Sequence, residues 1–329
     1  MSNALHIVNV EPRAYCEPAR RQLQALGELR ECEPLTRAAL LEDVATANVV
    51  ITRLAHHFDE AVFAAAPDLR ALVTATTGLT HVDLDAAQRH GVTVLSLKGE
   101  TEFLNSVTAT AELTWGLLLN VCRRLPAADR DVADGHWRRD AFKGRELEGK
   151  TLGVLGMGRL GRLVAAYGQA FQMRVVANDV KPVEMPVGVE AVSFDALLRA
   201  SDVLSVHVDL NETTHAMLDA AAFGRMKVGS ILVNTSRGEV VVEDDLIGTL
   251  EQGHLAGAGL DVLAGEPFAD DAALTRNPLW QWGRQHEQLV ITPHIGGATF
   301  ESMEATEVFM ANKLERWLRN AKPAQEENA

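Results

Sequence analysis

Residues 151–179 read TLGVLGMGRLGRLVAAYGQAFQMRVVAND. A short apolar run, Leu152 to Leu155, has the composition of a buried parallel strand. It leads into Gly156-Met157-Gly158-Arg159-Leu160-Gly161, which matches G-x-G-x-x-G. A helix-period segment runs on to about Phe171, and a second apolar strand, Met173 to Ala177, ends in Asn178-Asp179. In this setting each glycine has its own task. Gly156 permits a tight turn, Gly158 lets backbone approach a pyrophosphate, and Gly161 lets helix and strand pack closely. The helix that follows aims its free amides and positive dipole end at phosphates. Asp179 stands about 20 residues on, where a carboxylate can take both ribose hydroxyls and would repel a 2'-phosphate. The stretch therefore predicts a dinucleotide site that favours NAD over NADP, with Arg174 and Lys181 as the nearby cations that bear on that preference.

The 329-residue chain is long enough for two domains, and 47% hydrophobic residues can fill two cores. A net charge of -14 and a pI near 5.2 argue against nucleic-acid partners and a basic membrane-binding face. An anionic substrate would need a local positive site. Cys16, Cys32 and Cys122 show neither metal spacing nor an even-numbered disulfide framework, which fits a reducing cytoplasm and no metal. The first residues lack a signal-peptide pattern, and no apolar run approaches a membrane span.

Strands and helices alternate on both sides of the fingerprint. Before it, strands are expected at Leu5 to Val10, Asn48 to Ile51, Ala71 to Thr74 and Val92 to Leu95. Helices are expected between them, at Glu17 to Leu26, Thr36 to Val44, Glu60 to Ala65 and Val82 to His90. Thr101 to Leu125 reads as one long apolar helix, suited to a linker between domains or to a subunit contact. After Asp179, strands are expected at Val203 to Val206, Ser230 to Asn234, Ala256 to Val262 and Gln288 to Thr292. A final helix spans Thr299 to Leu318, followed by a polar tail, Lys322 to Ala329, expected to fray. The pattern is α/β, with doubly wound parallel sheets whose strand C-termini form the ligand edge.

Three residues at such strand ends, His294, Arg237 and Glu266, could carry chemistry, with a fourth, His207, as runner-up. His294 follows a strand and Pro293 and precedes Gly296-Gly297; its type suits proton transfer near neutral pH. His207 is a second strand-end histidine. Arg237, in Asn234-Thr235-Ser236-Arg237-Gly238, could hold a carboxylate in bidentate fashion and polarise a carbonyl. Glu266 could pair with a histidine, favour its charged form and fix the ring. Singly, each also suits a structural or solvated role; together, at the ends of three strands of one sheet, they suggest a common site.

These segments resemble the D-isomer-specific 2-hydroxyacid dehydrogenases, most of all the phosphoglycerate-dehydrogenase-like branch. The likeness runs from Gly149 to Gly161, through Val233 to Gly238 and Gly253 to Val262 with Glu266-Pro267, to Thr292 to Thr299. The resemblance implies two Rossmann-like or flavodoxin-like α/β domains with a cleft between them. The substrate domain would be discontinuous, residues 1–104 with 296–329, around an NAD-binding domain at 105–295. It implies NAD-dependent interconversion of a D-2-hydroxy acid and its 2-oxo acid. Arg237 would bind substrate, His294 would be the general acid/base, and Glu266 its partner. Gly156, Gly158, Arg159, Leu160, Gly161, Asp179, His207, Val208, Thr213, Thr235, Ser236, Asp261 and Gly297 would line the cofactor. Thr76, Thr77 and Gly78 would meet the substrate carboxylate. A homodimer formed through the cofactor domain is also implied.

The chain departs from the family pattern in places. Ser106 stands where an Asn is usual, six residues before Glu112, with Asn105 shifted by one. Asp209 replaces the usual proline after His207-Val208. The segment from Glu266 to Pro293 is longer than typical and contains Trp280-Gln281-Trp282. No regulatory domain follows the final helix, so feedback by serine is not expected. These differences bear on the substrate rather than the reaction; Arg53 and Lys98 could offer charge to a phosphate, or simply be solvated. The alternative reading is an NAD(H)-sensing interaction protein of the corepressor type, which shares the fold and the triad. Formate dehydrogenases, which carry a Gln beside the histidine, fit less well because residue 266 is Glu.

Overall fold

The computed structural model describes residues 5–266 and 271–320; Pro267 and the tail from Lys322 to Ala329 lie outside them. The chain divides into two compact units, Met1–Ser106 with Ala298–Ala329, and Val107–Gly297. Each is built on a parallel sheet buried on both faces, so its central strands are apolar throughout rather than alternating.

In the first unit the strands are β1 (His6–Asn9), β2 (Glu28–Glu31), β3 (Val49–Thr52), β4 (Ala71–Thr74) and β5 (Thr93–Leu95). Their spatial order is β2-β1-β3-β4-β5 and all pairs are parallel. β2 was not expected from sequence. Its residues, Glu-Leu-Arg-Glu, carry no apolar run because it is an edge strand with one neighbour. The helix Phe300–Asn320 returns to this unit and packs on the helix Glu17–Leu26. Glu307, 1% exposed, seals that contact. Its Oε2 accepts the Cys16 amide at 2.6 Å, and its Oε1 lies 3.6 Å from Nη1 of Arg53. Arg53 is therefore neither solvated nor free. It also donates to the carbonyls of Glu11 and Arg13, both at 2.6 Å. Lys98 is exposed.

The second unit holds β6 (Thr151–Leu155), β7 (Arg174–Asn178), β8 (Val189–Ala191), β9 (Val203–Val206), β10 (Ser230–Asn234), β11 (Leu255–Leu260) and β12 (Leu289–Ile291). Their order is β12-β11-β10-β9-β6-β7-β8, again all parallel. The chain builds outward from β6 through β7 to β8, then crosses to β9 on the other side. The crevice between the C-terminal ends of β6 and β9 is thus the topological switch point. β8 escaped the sequence reading for the same reason as β2.

The expected long helix from Thr101 to Leu125 is two helices, Thr101–Leu104 and Ala109–Arg123, broken at residues 105–108, where the chain passes between units. The second of them is no free linker. Ala111, Trp115, Leu117, Leu118 and Val121 are buried in the core of the second unit. It lies against β11 because Gly257 and Gly259 have no side chain. A Cβ there would meet Val121 at 2.6 Å and Leu117 at 3.0 Å. The segment before β12 holds two short helices, Asp271–Arg276 and Pro278–Gly283. The Asn277 side chain caps the latter by accepting from the Trp280 amide at 2.8 Å.

A buried carboxylate that loses its cation is left uncompensated. Arg53→Ala should therefore lower stability by about 3 kcal/mol, read from the urea midpoint of unfolding. An unchanged midpoint would mean that the Cys16 amide alone satisfies Glu307.

Candidate active site

The fingerprint loop leaves β6 with Gly156 at φ 94°, in the left-handed region. A Cβ on Gly156 would lie 2.6 Å from the His207 carbonyl, so the turn and the switch point close only around glycine. At Gly161 a Cβ would come within 2.0 Å of the Gly156 carbonyl, which is the close helix–strand approach that sequence implied. Gly158 differs. It caps the helix Arg159–Ala170, and nothing lies within 4 Å of where its Cβ would be. The open space beside Gly158, at a helix N-terminus, is where a pyrophosphate would approach. Arg159 is half-buried, burial pulls its pKa down, and its guanidinium donates to the Val107 carbonyl. Leu160 packs against the core behind the loop.

Asp179 follows β7. Its Oδ2 accepts the Met157 amide at 2.7 Å and its Oδ1 the Lys181 amide at 2.8 Å. The carboxylate is thereby tied to the fingerprint loop. Arg174 starts β7, at the opposite end of the strand from Asp179, and pairs with Glu190 at 2.6 Å. It is not a cation available for a 2'-phosphate. His207 follows β9; its Nε2 is 2.7 Å from Ser205 Oγ, while its buried Nδ1 has no hydrogen-bond partner. Burial lowers its pKa from 6.5 to about 4, so the ring is neutral at pH 7. Val208 is half-buried; Thr213 is exposed, with its amide and hydroxyl both turned to Asn211 Oδ1. The glycine cradle, the open approach at Gly158, the carboxylate of Asp179 and the orphaned nitrogen of His207 fit a dinucleotide.

β10, β11 and β12 deliver Arg237, Glu266 and His294 to the same edge of the sheet. His294 Nδ1 lies 3.0 Å from Glu266 Oε1, with the side chains 27% and 18% exposed. The pair is at ion-pair distance without the alignment of a linear hydrogen bond. Nδ1 is thus the ring nitrogen that faces Glu266, and Nε2 is the one turned away from it. His294 has φ 51°, a conformation uncommon outside glycine and one that must be held in place. Asp261 holds it. Its backbone carbonyl accepts the His294 amide at 2.9 Å. Its carboxylate accepts from Thr292 Oγ1, the Ile295 amide and the Gly296 amide, at 2.6, 2.8 and 2.7 Å. Asp261 is 1% exposed, and burial raises its pKa despite these donors. It organises the histidine loop rather than facing open space. A Cβ on Gly297, two residues after Ile295, would meet nothing within 4 Å.

Arg237 is half-buried and donates to the Ser236 carbonyl; it makes no contact with Glu266 or His294 among those found in the described residues. Ser236 gives its amide and hydroxyl to Asn234 Oδ1, at 2.9 and 2.8 Å, and Asn234 Nδ2 returns a bond to the Arg237 carbonyl at 2.9 Å. Asn234, 1% exposed, thus shapes the arginine turn. Sequence reading passed over it, although an Asn at a strand end before Thr-Ser is an Asx-turn signal. Thr235 is buried and bonded to Thr114 at 2.9 Å. Glu239 and Glu243 were also missed, since carboxylates at a helix start read as ordinary first-turn acids. Thr76, Thr77 and Gly78 lie in the first unit, just past β4, where Thr76 Oγ1 donates to the Gly78 carbonyl at 2.9 Å. No group of His, Cys, Asp and Glu among the described residues could hold a metal. No helix among them is long and apolar enough to cross a membrane.

Residues 115–296 match the D-isomer specific 2-hydroxyacid dehydrogenase family, NAD binding domain. The chain is 38% identical over 286 residues to a D-3-phosphoglycerate dehydrogenase of Mycobacterium tuberculosis, a match covering 85% of this chain and 51% of that protein. It therefore spans about half the length of that relative. A glyoxylate reductase of Thermococcus litoralis is 34% identical over 288 residues, 84% of this chain and 82% of its own length. Among solved structures, a D-lactate dehydrogenase of Aquifex aeolicus complexed with NAD and lactic acid superposes with a TM-score of 0.79. The two are 27% identical, with 96% of each chain covered.

Two outcomes follow from this geometry. Gly158→Ala should keep the wild-type melting temperature yet weaken NAD binding, measured by calorimetry, whereas Gly161→Ala should lose stability first. Equal effects on both would contradict the open approach at Gly158. For His207, the folded pKa of about 4 lies below its ordinary 6.5. Its contribution is present above pH 6.5 and is lost as pH falls toward 4, because the unfolded chain takes the proton first. Relative to His207→Gln, wild type should lose about 3 kcal/mol across that window. Parallel curves of urea midpoint against pH would refute it.

Proposed function

The chain belongs to the D-isomer specific 2-hydroxyacid dehydrogenase family and uses NAD, and from that premise we propose that it interconverts a D-2-hydroxy acid and its 2-oxo acid. The observation that carries the roles is the 3.0 Å approach of Glu266 to His294 Nδ1 on a histidine held in the left-handed region. Bound NAD supplies or accepts the hydride at the substrate's C2. His294 gives a proton from Nε2 to the carbonyl oxygen in reduction and takes one from the hydroxyl in oxidation. Glu266, facing Nδ1, holds the ring and fixes which nitrogen faces the substrate. Arg237 binds the substrate carboxylate and polarises the adjacent carbonyl. On a chain of net charge -14, it supplies the local positive site that an anionic substrate requires. Asp179 favours NAD over NADP by repelling a 2'-phosphate.

We also infer a homodimer formed through the second unit, supported by the exposed Leu125, Val132 and Trp137 on one stretch of it. The three free thiols suit the reducing cytoplasm. Sedimentation should give about twice the 35.7 kDa chain mass, and Trp137→Glu should shift it toward the monomer. A wild-type monomer would end this part of the reading.

The reaction is tested with a panel of 2-oxo acids (glyoxylate, hydroxypyruvate, pyruvate, phenylpyruvate, 2-oxoglutarate and phosphohydroxypyruvate), following NADH and NADPH separately. One acid should turn over with NADH preferred. His294→Ala and Arg237→Ala should each cut turnover about 100-fold or more while NAD binding persists. Silence across the panel with NADH bound, or near-wild-type turnover in either variant, would overturn the assignment.

A further inference from the structure

We propose that Glu239 and Glu243 are positioning residues for this reaction, fixing the two backbone amides that lead into Glu266 and so the direction from which its carboxylate meets His294. This inference rests on the dehydrogenase reading above and adds a part of the machinery that the triad alone does not contain.

The geometry is local and specific. Glu243 Oε1 accepts the Ala264 amide at 2.8 Å, and Glu239 Oε1 accepts the next amide, Gly265, at 3.1 Å. One hydrogen bond would place a peptide plane but leave it free to rotate. Two carboxylates on consecutive amides fix both position and orientation. The chain beneath them is equally constrained. Leu263 is buried, and a Cβ on Gly238 would come within 2.0 Å of its carbonyl carbon, so the Arg237 turn and the Glu266 loop are in direct backbone contact. Gly265 then turns with φ 83° to present Glu266. The segment from Arg237 to Glu243 therefore carries the substrate-binding guanidinium at one end and anchors the histidine's partner along the rest.

Glu243 is itself anchored. Its Oε2 accepts from Asn277 Nδ2 at 2.7 Å, while Asn277 Oδ1 caps the helix Pro278–Gly283. The helix pair in the segment before β12 is in this way wired to the Glu266 loop through a single asparagine. Misplacing a catalytic group by about 1 Å can cost about 100-fold in rate, so a device of this kind matters even though neither glutamate touches substrate.

The test is a double-mutant cycle with NADH and the fastest acid of the panel. Glu243→Ala should lower kcat about 10-fold or more with little change in KM or NAD affinity, and Glu243→Gln, which keeps an acceptor for Ala264, should restore most of it. In a Glu266→Gln background the same Glu243→Ala change should cost less than about 3-fold, because its route of action is already gone. Equal losses in both backgrounds would overturn the proposal. If Glu243→Ala does not fold, Asn277→Asp keeps the helix cap and sets a carboxylate against Glu243, and it should reproduce the loss. A second readout needs no turnover. In imidazole nitrogen NMR spectra of the NADH-bound protein, the signal lost in His294→Ala should move in both Glu266→Gln and Glu243→Ala. A signal that moves only in Glu266→Gln refutes the positioning role. A protein that binds NADH but turns over no acid refutes the dehydrogenase reading instead.

Discussion

All seven strands of the second unit run parallel, and the gathering of that unit's candidate site residues follows from that constraint. Parallel neighbours can be joined only by crossovers, so every strand ends on the same edge and every loop leaving that edge starts beside its neighbours. The fingerprint, Asp179, His207, Arg237, Glu266 and His294 are scattered over more than a hundred residues of chain. They converge because β6, β7, β9, β10, β11 and β12 all stop there. The edge also creates a difficulty. Loops packed side by side bury amides that no ladder serves, and each such amide must find a partner.

The protein meets that demand largely with carboxylates. Asp261 takes two amides and a hydroxyl from the His294 loop, Asp179 takes one amide at the fingerprint and one in its own loop, and Glu239 with Glu243 take the two amides before Glu266. In the first unit Glu307 does the same for Cys16. Burial pushes the carboxyls of Asp261, Glu243 and Glu307 toward their neutral forms. Donors that favour the charged form offset that cost and are what make each loop rigid. A histidine at φ 51° is tolerable only because the carboxylate beneath it has claimed its neighbours.

Glycine solves the remaining problem, which is closeness. Gly156 and Gly161 let the fingerprint close, Gly238 lets the arginine turn touch the Leu263 backbone, and Gly257 and Gly259 admit the helix Ala109–Arg123 onto β11. The last two sit inside the Gly-Ala-Gly of a strand. Sequence offers them as part of a family signature, and only packing gives their reason.

What sequence by itself determined was whatever is encoded locally. Apolar runs marked the central strands, the glycine spacing marked the dinucleotide turn, and the strand ends marked Arg237, Glu266 and His294 as residues to watch. β2 and β8 stayed hidden because an edge strand needs no apolar run. The break at residues 105–108 stayed hidden because the apolar period continues across it. Only the tertiary structure decided that Glu266 reaches His294 Nδ1, that Arg53 is spent on Glu307 and two carbonyls, that Arg174 sits at the wrong end of its strand to meet a phosphate beside Asp179, and that Asn234, Asp261, Glu239 and Glu243 hold the loops. The physical reason is the same in each case. A polar side chain's role depends on which distant amide or charge lacks a partner, and that is set by strands meeting across the sheet rather than by neighbours along the chain.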